Sequence, residues 1–482
     1  MRAPRVQFLA HLLAAASAAA SAVVTAVVTA APAAPNVLLI LADDLRPDAP
    51  GFAGGRAART PQLDALARGG TVFSRASCSY PICHVSRSEL LSGQLALGRP
   101  GQGALGGPVA FDPATPLLPA LLARSGWHTV HAGKWHVAGT PAQLGFRETA
   151  GMFSGGGAAG QPAAVERTPS GRNVTGYRGW TFKDATGRAQ PELGVGLTPE
   201  TDRIITARAA AAIGRLRDQP FFLQVNLTAP HDPLLEPPGS RRGALPDLPA
   251  NFRPAPAFDT GNIAGRDERI VPAPRSPDAV RVERELYFRW VEEVDRNVGE
   301  LLAALTASGI RERTLVVFSS DNGLALGSHG LMGKQNQYEH SLNVPLVLAG
   351  PGIPTARRLA AQCYLRDLYP TLCDLLGLPT PSGLDGQSLT PVLRGERTEV
   401  HEAIFGYFTS TQRMIRTADG WKLIWYPALG RTELFHLPED PNELRDLAGE
   451  SAYAARLEDL GARLAAWQLR HGDPAAPALR HP

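Results

Sequence analysis

Four short apolar runs constrain this chain most. Residues 36–42 (NVLLILA), 221–227 (FFLQVNL), 314–319 (TLVVFS) and 343–349 (NVPLVLA) are almost continuous in hydrophobic side chains. A strand with one wet face alternates, whereas an unbroken run of this length reads as a strand covered on both faces. Helical patterns separate the runs. Residues 60–69 carry Thr60 as an N-cap, Pro61 at the first turn and glycine at the end. Residues 117–124, 198–216 and 367–376 read as further helices. The clearest is 278–305, where Leu286, Trp290, Val294, Val298, Leu301 and Leu305 recur at three- and four-residue spacing. Glu292, Glu293 and Arg296 fall mostly off that stripe and are expected on a solvated face. The pattern predicts an α/β protein with a large parallel or mixed sheet between helices.

The strand ends carry the polar chemistry. The first run stops at Asp43-Asp44, the 314–319 run at Asp321-Asn322, and the 221–227 run leads into Pro230-His231-Asp232-Pro233. Sites in open α/β sheets collect beyond the carboxyl ends of strands. Adjacent carboxylates repel and lose hydration unless a cation or water holds them, although an isolated Asp-Asp also serves in exposed turns. A further strand at 127–132 feeds Gly133-Lys134-Trp135-His136. If that piece stays extended, Lys134 and His136 point to one side; otherwise they are the polar tips of an ordinary strand end. A glycine-rich loop, 323–333, carries His329 and leads to Lys334.

Between a strand at 71–77 and Gly93 lies SYPICHVSRSELLSG, residues 79–93. Pro81 favours a turn, and a helix beginning there puts Cys83 near its N-terminus with Arg87 one turn on. A helix start suits anions, and Arg beside Cys suits attack on an anionic ester; a buried core cysteine is the plain alternative. Asp43, Asp44, Asp321 and Asn322 offer only oxygen donors, which points to Ca2+ or Mg2+ rather than zinc. A hard cation among Arg87, Lys134, His136, His231 and Lys334 makes a site for sulfate or phosphate.

The remaining features set the context. The 482 residues are 44% hydrophobic, enough for a large core, and the net charge of +3 with no basic run argues against nucleic acid. Residues 1–34 read as a secretory signal, with Arg2 and Arg5 before a long Ala/Val/Leu stretch; an uncleaved anchor is the alternative. The protein is thus expected to be exported, periplasmic or secreted, without stable membrane association after cleavage. Of four cysteines, Cys363 and Cys373 could pair; buried free thiols are the plainer reading. Residues 151–200 and 234–275 read as Gly- and Pro-rich surface loops. Beyond about residue 396, short strand patterns at 402–408, 412–417, 421–426 and 432–436 predict a small antiparallel sheet, and 452–467 a last amphipathic helix.

Together the motifs PNVLLILADDLRPD (35–48), CHVSRSELLSG (83–93), GKWH (133–136), PHDP (230–233) and SDNGLALGSHGLMGKQNQYEHSLNVPLVLAGPG (320–352) resemble the type I sulfatases of the alkaline-phosphatase-like superfamily, as does the tail HLPEDPNELRDLA (436–448). The resemblance implies a signal at 1–34, a catalytic domain at 35–395 with a large mixed sheet, and a C-terminal subdomain at 396–482. It implies Ca2+ (or Mg2+) held by Asp43, Asp44, Asp321, Asn322 and residue 83. It implies that a maturation enzyme oxidises Cys83 to formylglycine, whose hydrate attacks a sulfate ester of a small molecule or glycan. One hydroxyl takes the sulfuryl group and the other, deprotonated, expels it. Arg87 and Lys134 would orient the hydrate, His136 would be the elimination base, and His231 and Lys334 would bind sulfate and assist the leaving group. The family motif C-x-P-S-R, or its Ala form, is altered here: Val85 stands at the Pro position. A phosphonate monoester or phosphodiester hydrolase of the same superfamily, or a non-catalytic binder of sulfated glycans, are the competing readings. Residues 335–340 and His84 are expected to line the pocket.

Overall fold

A computed structural model describes residues 34–98, 109–155, 176–261, 263 and 265–475. The first apolar run is β1 (Asn36–Ala42), and it sits at the centre of the large sheet. Its neighbours are β7 (Phe221–Asn226) and β8 (Thr314–Ser320), both parallel to it. Outward from β7 come β3 (His128–Lys134), β4 (Glu148–Ser154), β5 (Thr181–Lys183) and β6 (Ala189–Val195). Outward from β8 come the antiparallel β9 (Asn343–Ala349), then β2 (Gly70–Ser77) and β10 (Arg357–Tyr364). These ten strands form one mixed sheet.

The unbroken apolar runs are explained by cover on both faces. Leu38 and Ile40 of β1 pack in one core and Val37, Leu39 and Leu41 in another. The first face is covered by α1 (Pro61–Arg68), α4 (Thr201–Arg215) and the 31-residue α5 (Pro277–Ala307). The second is covered by α2 (Cys83–Ser92), α3 (Leu118–Arg124) and α7 (Leu368–Leu376). Two one-turn helices, α6 (Glu339–Leu342) and α8 (Thr390–Leu393), complete this part. A separate antiparallel sheet follows, β11 (Ala403–Phe408), β12 (Gln412–Thr417), β13 (Trp421–Tyr426) and β14 (Arg431–His436), with α9 (Ala454–Arg470) packed on it.

Several expectations are corrected. Residues 151–200 do not stay loops: β4, β5 and β6 extend the sheet there. These are outer strands with mixed burial, so they need no apolar run to be stable. Residues 156–175 of that stretch, and 1–33 of the export segment, lie outside the described residues. β10 left no clear pattern, because its first half is exposed. Glu293 is buried rather than solvated; α4 covers that face and Arg203 pairs with the carboxylate at 3.6 Å. Thr60 precedes α1, but its hydroxyl accepts from Gly51 N at 2.8 Å instead of capping the helix. All four cysteines are buried free thiols.

Candidate active site

Sheet register assembles the site. Ala42 of β1 lies opposite Ser320 of β8, so Asp43 and Asp321 leave the sheet at the same level. Asp44 turns the chain with φ 66°, a conformation that costs a non-glycine residue about 1–2 kcal/mol. It is held there because its N–H donates to Asp321 Oδ1 at 3.2 Å and its carbonyl accepts from the Tyr287 hydroxyl at 2.8 Å. β3 brings Lys134. Gly133 has φ 89°, and a Cβ there would lie 2.1 Å from the Asn226 carbonyl, so only glycine lets β3 pass β7 this closely. The turn after β7 brings His231. Its base is fixed by Asp202, which accepts from Thr228 N at 2.7 Å and Ala229 N at 2.8 Å. β2 runs the same way as β8 and feeds α2, whose first residue is Cys83.

The side chains converge. Cys83 Sγ is 3.2 Å from both Asp43 Oδ1 and Lys334 Nζ. Lys334 Nζ donates to both Asp44 oxygens, at 2.6 and 2.7 Å. Lys134 Nζ donates to Asp43 Oδ2 at 2.5 Å. Arg87 Nε donates to Asp321 Oδ2 at 2.9 Å, and Ser86 Oγ to the Asp321 carbonyl at 2.6 Å. Asn322 Nδ2 donates to Asp44 Oδ1 at 2.7 Å. His231 Nε2 lies 3.5 Å from Asp44 Oδ2, while its Nδ1 is 2.6 Å from the Asp232 carbonyl, which assigns Nδ1 as a donor. His136 stands to one side. Its ring is 5.6 Å from that of His84 and meets the Trp180 ring edge-on at 5.3 Å.

Charge follows from this packing. Burial would raise the Asp43 carboxyl, but Lys134, His231, Arg87 and Lys334 together hold it well below its ordinary range. Burial and the neighbouring Asp43 push Asp321 up to about 6. Burial opposes protonation of His231, yet Asp44 and Asp232 outweigh it and raise the ring to about 10. Burial and Lys134 push His136 well down, and His84 falls to about 4 for the same reasons. Burial, with Asp321 and Asp43, pushes the Cys83 thiol up.

The donors fit a hard cation. Asp43, Asp44 and Asp321 are fully buried, and Asn322 Oδ1, equally buried, has no hydrogen-bond partner. A buried amide oxygen left unmatched beside three carboxylates is the place where an oxygen-seeking divalent ion settles. Donor atoms of Asp43, Asp44, Cys83 and His231 also lie within 4.8 Å of one another. This brings His231 nearer the cage than its sequence-assigned role requires.

Sequence reasoning missed Tyr177. Its hydroxyl donates to Asp43 Oδ2, its ring lies 4.7 Å from that of His231, and Lys134 Nζ sits 5.2 Å from its centroid. The signal was the pair Tyr177 and Trp180, two large aromatics in a stretch read only as loop. Asp232, inside the 230–233 motif, is a second such residue: it takes an ion pair from Arg266 at 2.9 Å.

The comparisons with known proteins make the chain a sulfuric ester hydrolase. The sulfatase family matches residues 35–378, and the family described as N-sulphoglucosamine sulphohydrolase, C-terminal, matches residues 327–470; the chain belongs to the sulfatase family. It is similar to the choline-sulfatase of Rhizobium meliloti, 30% identical over 86% of this chain and 82% of that protein. It is similar to the Delta 4,5-hexuronate-2-O-sulfatase of Bacteroides thetaiotaomicron, 27% identical over 91% of this chain and 90% of that protein. Its fold is that of the phosphonate monoester hydrolase of Agrobacterium radiobacter, with TM-score 0.72 and 23% identity over 91% of this chain and 96% of the other.

Proposed function

We propose that this protein is an exported sulfatase that hydrolyses a sulfate ester of a carbohydrate, using residue 83 as nucleophile after oxidation of Cys83 to formylglycine. The observation that carries the reading is the position of Cys83 Sγ, at the first residue of a helix and 3.2 Å from both Asp43 and Lys334. The hexuronate-2-O-sulfatase likeness supports a sugar as the alcohol.

Oxidised to the aldehyde and hydrated by one water, residue 83 supplies two hydroxyls on one carbon, one to take the sulfuryl group and one to release it and return the aldehyde. Ca2+ (or Mg2+), held by Asp43, Asp44, Asp321, Asn322 and residue 83, would supply positive charge beside the sulfate oxygens. Lys334, between Asp44 and residue 83, is placed to neutralise a sulfate oxygen. Arg87 and Lys134 hold the Asp321 and Asp43 carboxylates and so fix the approach to residue 83. His231 donates Nδ1–H to the Asp232 carbonyl, which aims Nε2 at the cage, where in its protonated form it can give a proton to the departing sugar oxygen. His136 is kept neutral by burial and Lys134, the state in which an imidazole can accept the proton of the second hydroxyl.

The test is sulfate release from a panel of sulfated sugars and an aryl sulfate, with an aryl phosphodiester alongside. Preferential hydrolysis of the sulfate esters is expected. A strong preference for the phosphodiester would replace this reading with the phosphonate and phosphodiester one.

A further inference from the structure

Two side chains of the site stand on loops that the sheet does not join. His231 follows β7 and Lys334 follows β8, and β1 runs between those strands. Strand register fixes where the two loops begin, not how far apart their tips stand. Yet both tips come to one carboxylate oxygen: His231 Nε2 lies 3.5 Å and Lys334 Nζ 2.7 Å from Asp44 Oδ2.

A single short segment touches both loops. Residues 266–268 belong to the stretch before α5, where the chain makes one helical turn at Asp267–Arg269. On one side, Arg266 Nη2 donates to Asp232 Oδ1 at 2.9 Å and lies 3.4 Å from His231 Nε2. Asp232 Oδ1 is in turn 3.0 Å from His231 Nδ1. The guanidinium therefore borders one ring nitrogen directly and the other through Asp232. On the other side, Glu268 Oε1 accepts from Gly333 N at 2.9 Å and Oε2 from Met332 N at 3.0 Å, the two N–H groups just before Lys334. Gln335 N donates to the Pro81 carbonyl at 3.2 Å, so the backbone is held on both sides of Lys334.

The packing here is tight. A Cβ on Gly333 would lie 2.7 Å from Asp267 Cβ, and one on Gly176 2.7 Å from the Asp232 carbonyl oxygen, so glycine is needed at both approaches. Glu268 and Asp232 are both buried. Arg275 pairs with Glu268, which gives that carboxylate a cation of its own and leaves Lys334 to the cage. A buried carboxylate that receives two backbone N–H groups is costly to replace.

We propose that residues 266–268 are a clip that sets the catalytic spacing: Arg266 is a positioning residue for His231, and Glu268 is a positioning residue for Lys334. The inference rests on the roles given above to those two residues. Its two halves have different signatures. Orientation of His231 matters more as the departing oxygen becomes more basic, because protonation then carries more of the barrier. The reach of Lys334 matters for the sulfate whatever alcohol departs.

The test is kcat/KM for a series of aryl sulfates of rising leaving-group basicity, beside calorimetric titration of the Ca2+-loaded protein with inorganic sulfate. Arg266→Gln should lose about tenfold more activity on phenyl sulfate than on 4-nitrophenyl sulfate. The Arg266 side chain is 38% exposed, so this variant is expected to fold. Glu268→Gln should lose activity evenly across the series and bind sulfate about tenfold more weakly. Glu268→Asp keeps the charge opposite Arg275 but is one methylene too short to meet both N–H groups, and should weaken sulfate in the same direction. An even loss across the series in Arg266→Gln, or sulfate bound by both Glu268 variants as tightly as by the wild type, would overturn the proposal. Absence of aryl sulfate turnover in the wild type would sink the sulfatase reading, while the sulfate titrations would still decide on the clip.

Discussion

Arg87 meets Asp321 through two nitrogens, Nε at 2.9 Å and Nη2 at 2.8 Å, with both side chains out of solvent. The pair ties the helix that begins at Cys83 to the end of β8. Breaking one half of a buried pair leaves the other charge uncompensated, at a cost of about 3–5 kcal/mol. Arg87→Gln should lose stability of that order in denaturant titrations. Adding Asp321→Asn should recover much of it, yet activity should stay lost, because neither the cation cage nor the orientation of residue 83 returns.

Tyr177 touches Asp43 through its hydroxyl alone. Tyr177→Phe keeps the ring against His231 and removes one hydrogen bond to a charged acceptor, worth about 1.5–3 kcal/mol. The expected result is a fall of about tenfold or more in kcat/KM for an aryl sulfate, together with a modestly lowered unfolding temperature and a retained fold. Unaltered kinetics would mean that the hydroxyl does not position Asp43.

Val85 is fully buried in the apolar cluster of the C-terminal sheet, with Tyr80, Tyr407, Ile415 and Leu464. It is the third residue of α2, where a backbone N–H has no partner within the helix. Proline, the usual residue there, would therefore break no helix hydrogen bond, and valine fills the same apolar place. Val85→Pro should fold with a loss of about 1 kcal/mol from repacking and from restriction of His84. Val85→Ala, which leaves a cavity, should cost about 1–3 kcal/mol. Both are read from chemical unfolding, with conversion of residue 83 followed in parallel.

Removal of the divalent ion should both stop turnover and lower the unfolding temperature. A ligand at 100 times its dissociation constant stabilises the fold by about 2.7 kcal/mol, so chelation should be visible in a melt without substrate. Ca2+ or Mg2+ should restore both. Asn322→Ala, which removes the unmatched oxygen, should raise the ion concentration needed for half recovery.

The parts of this account that the sequence carried were those with a strong local signature. Runs buried on two faces, such as 36–42, announced their strands, and the residues just past their ends, Asp43, Asp44, Asp321 and His231, meet in the cage because parallel strands in register end at one level. The C-terminal strands were legible from alternation and the turn at 418–420. What was not legible depends on tertiary cover. Glu293 is buried only because α4 lies over it, β5 and β6 are sheet only because β4 is there to pair with, and Tyr177 reaches Asp43 from a segment with no periodicity.

The most direct test of the central claim is the mass of the tryptic peptide 76–87 from protein isolated from its native host. This peptide carries both Cys78 and Cys83, so the buried Cys78 serves as an internal control. The account predicts that residue 83 has lost its sulfur and two hydrogens and gained one oxygen, while Cys78 is an ordinary thiol. A peptide with both cysteines intact, from protein that nonetheless releases sulfate, would contradict it.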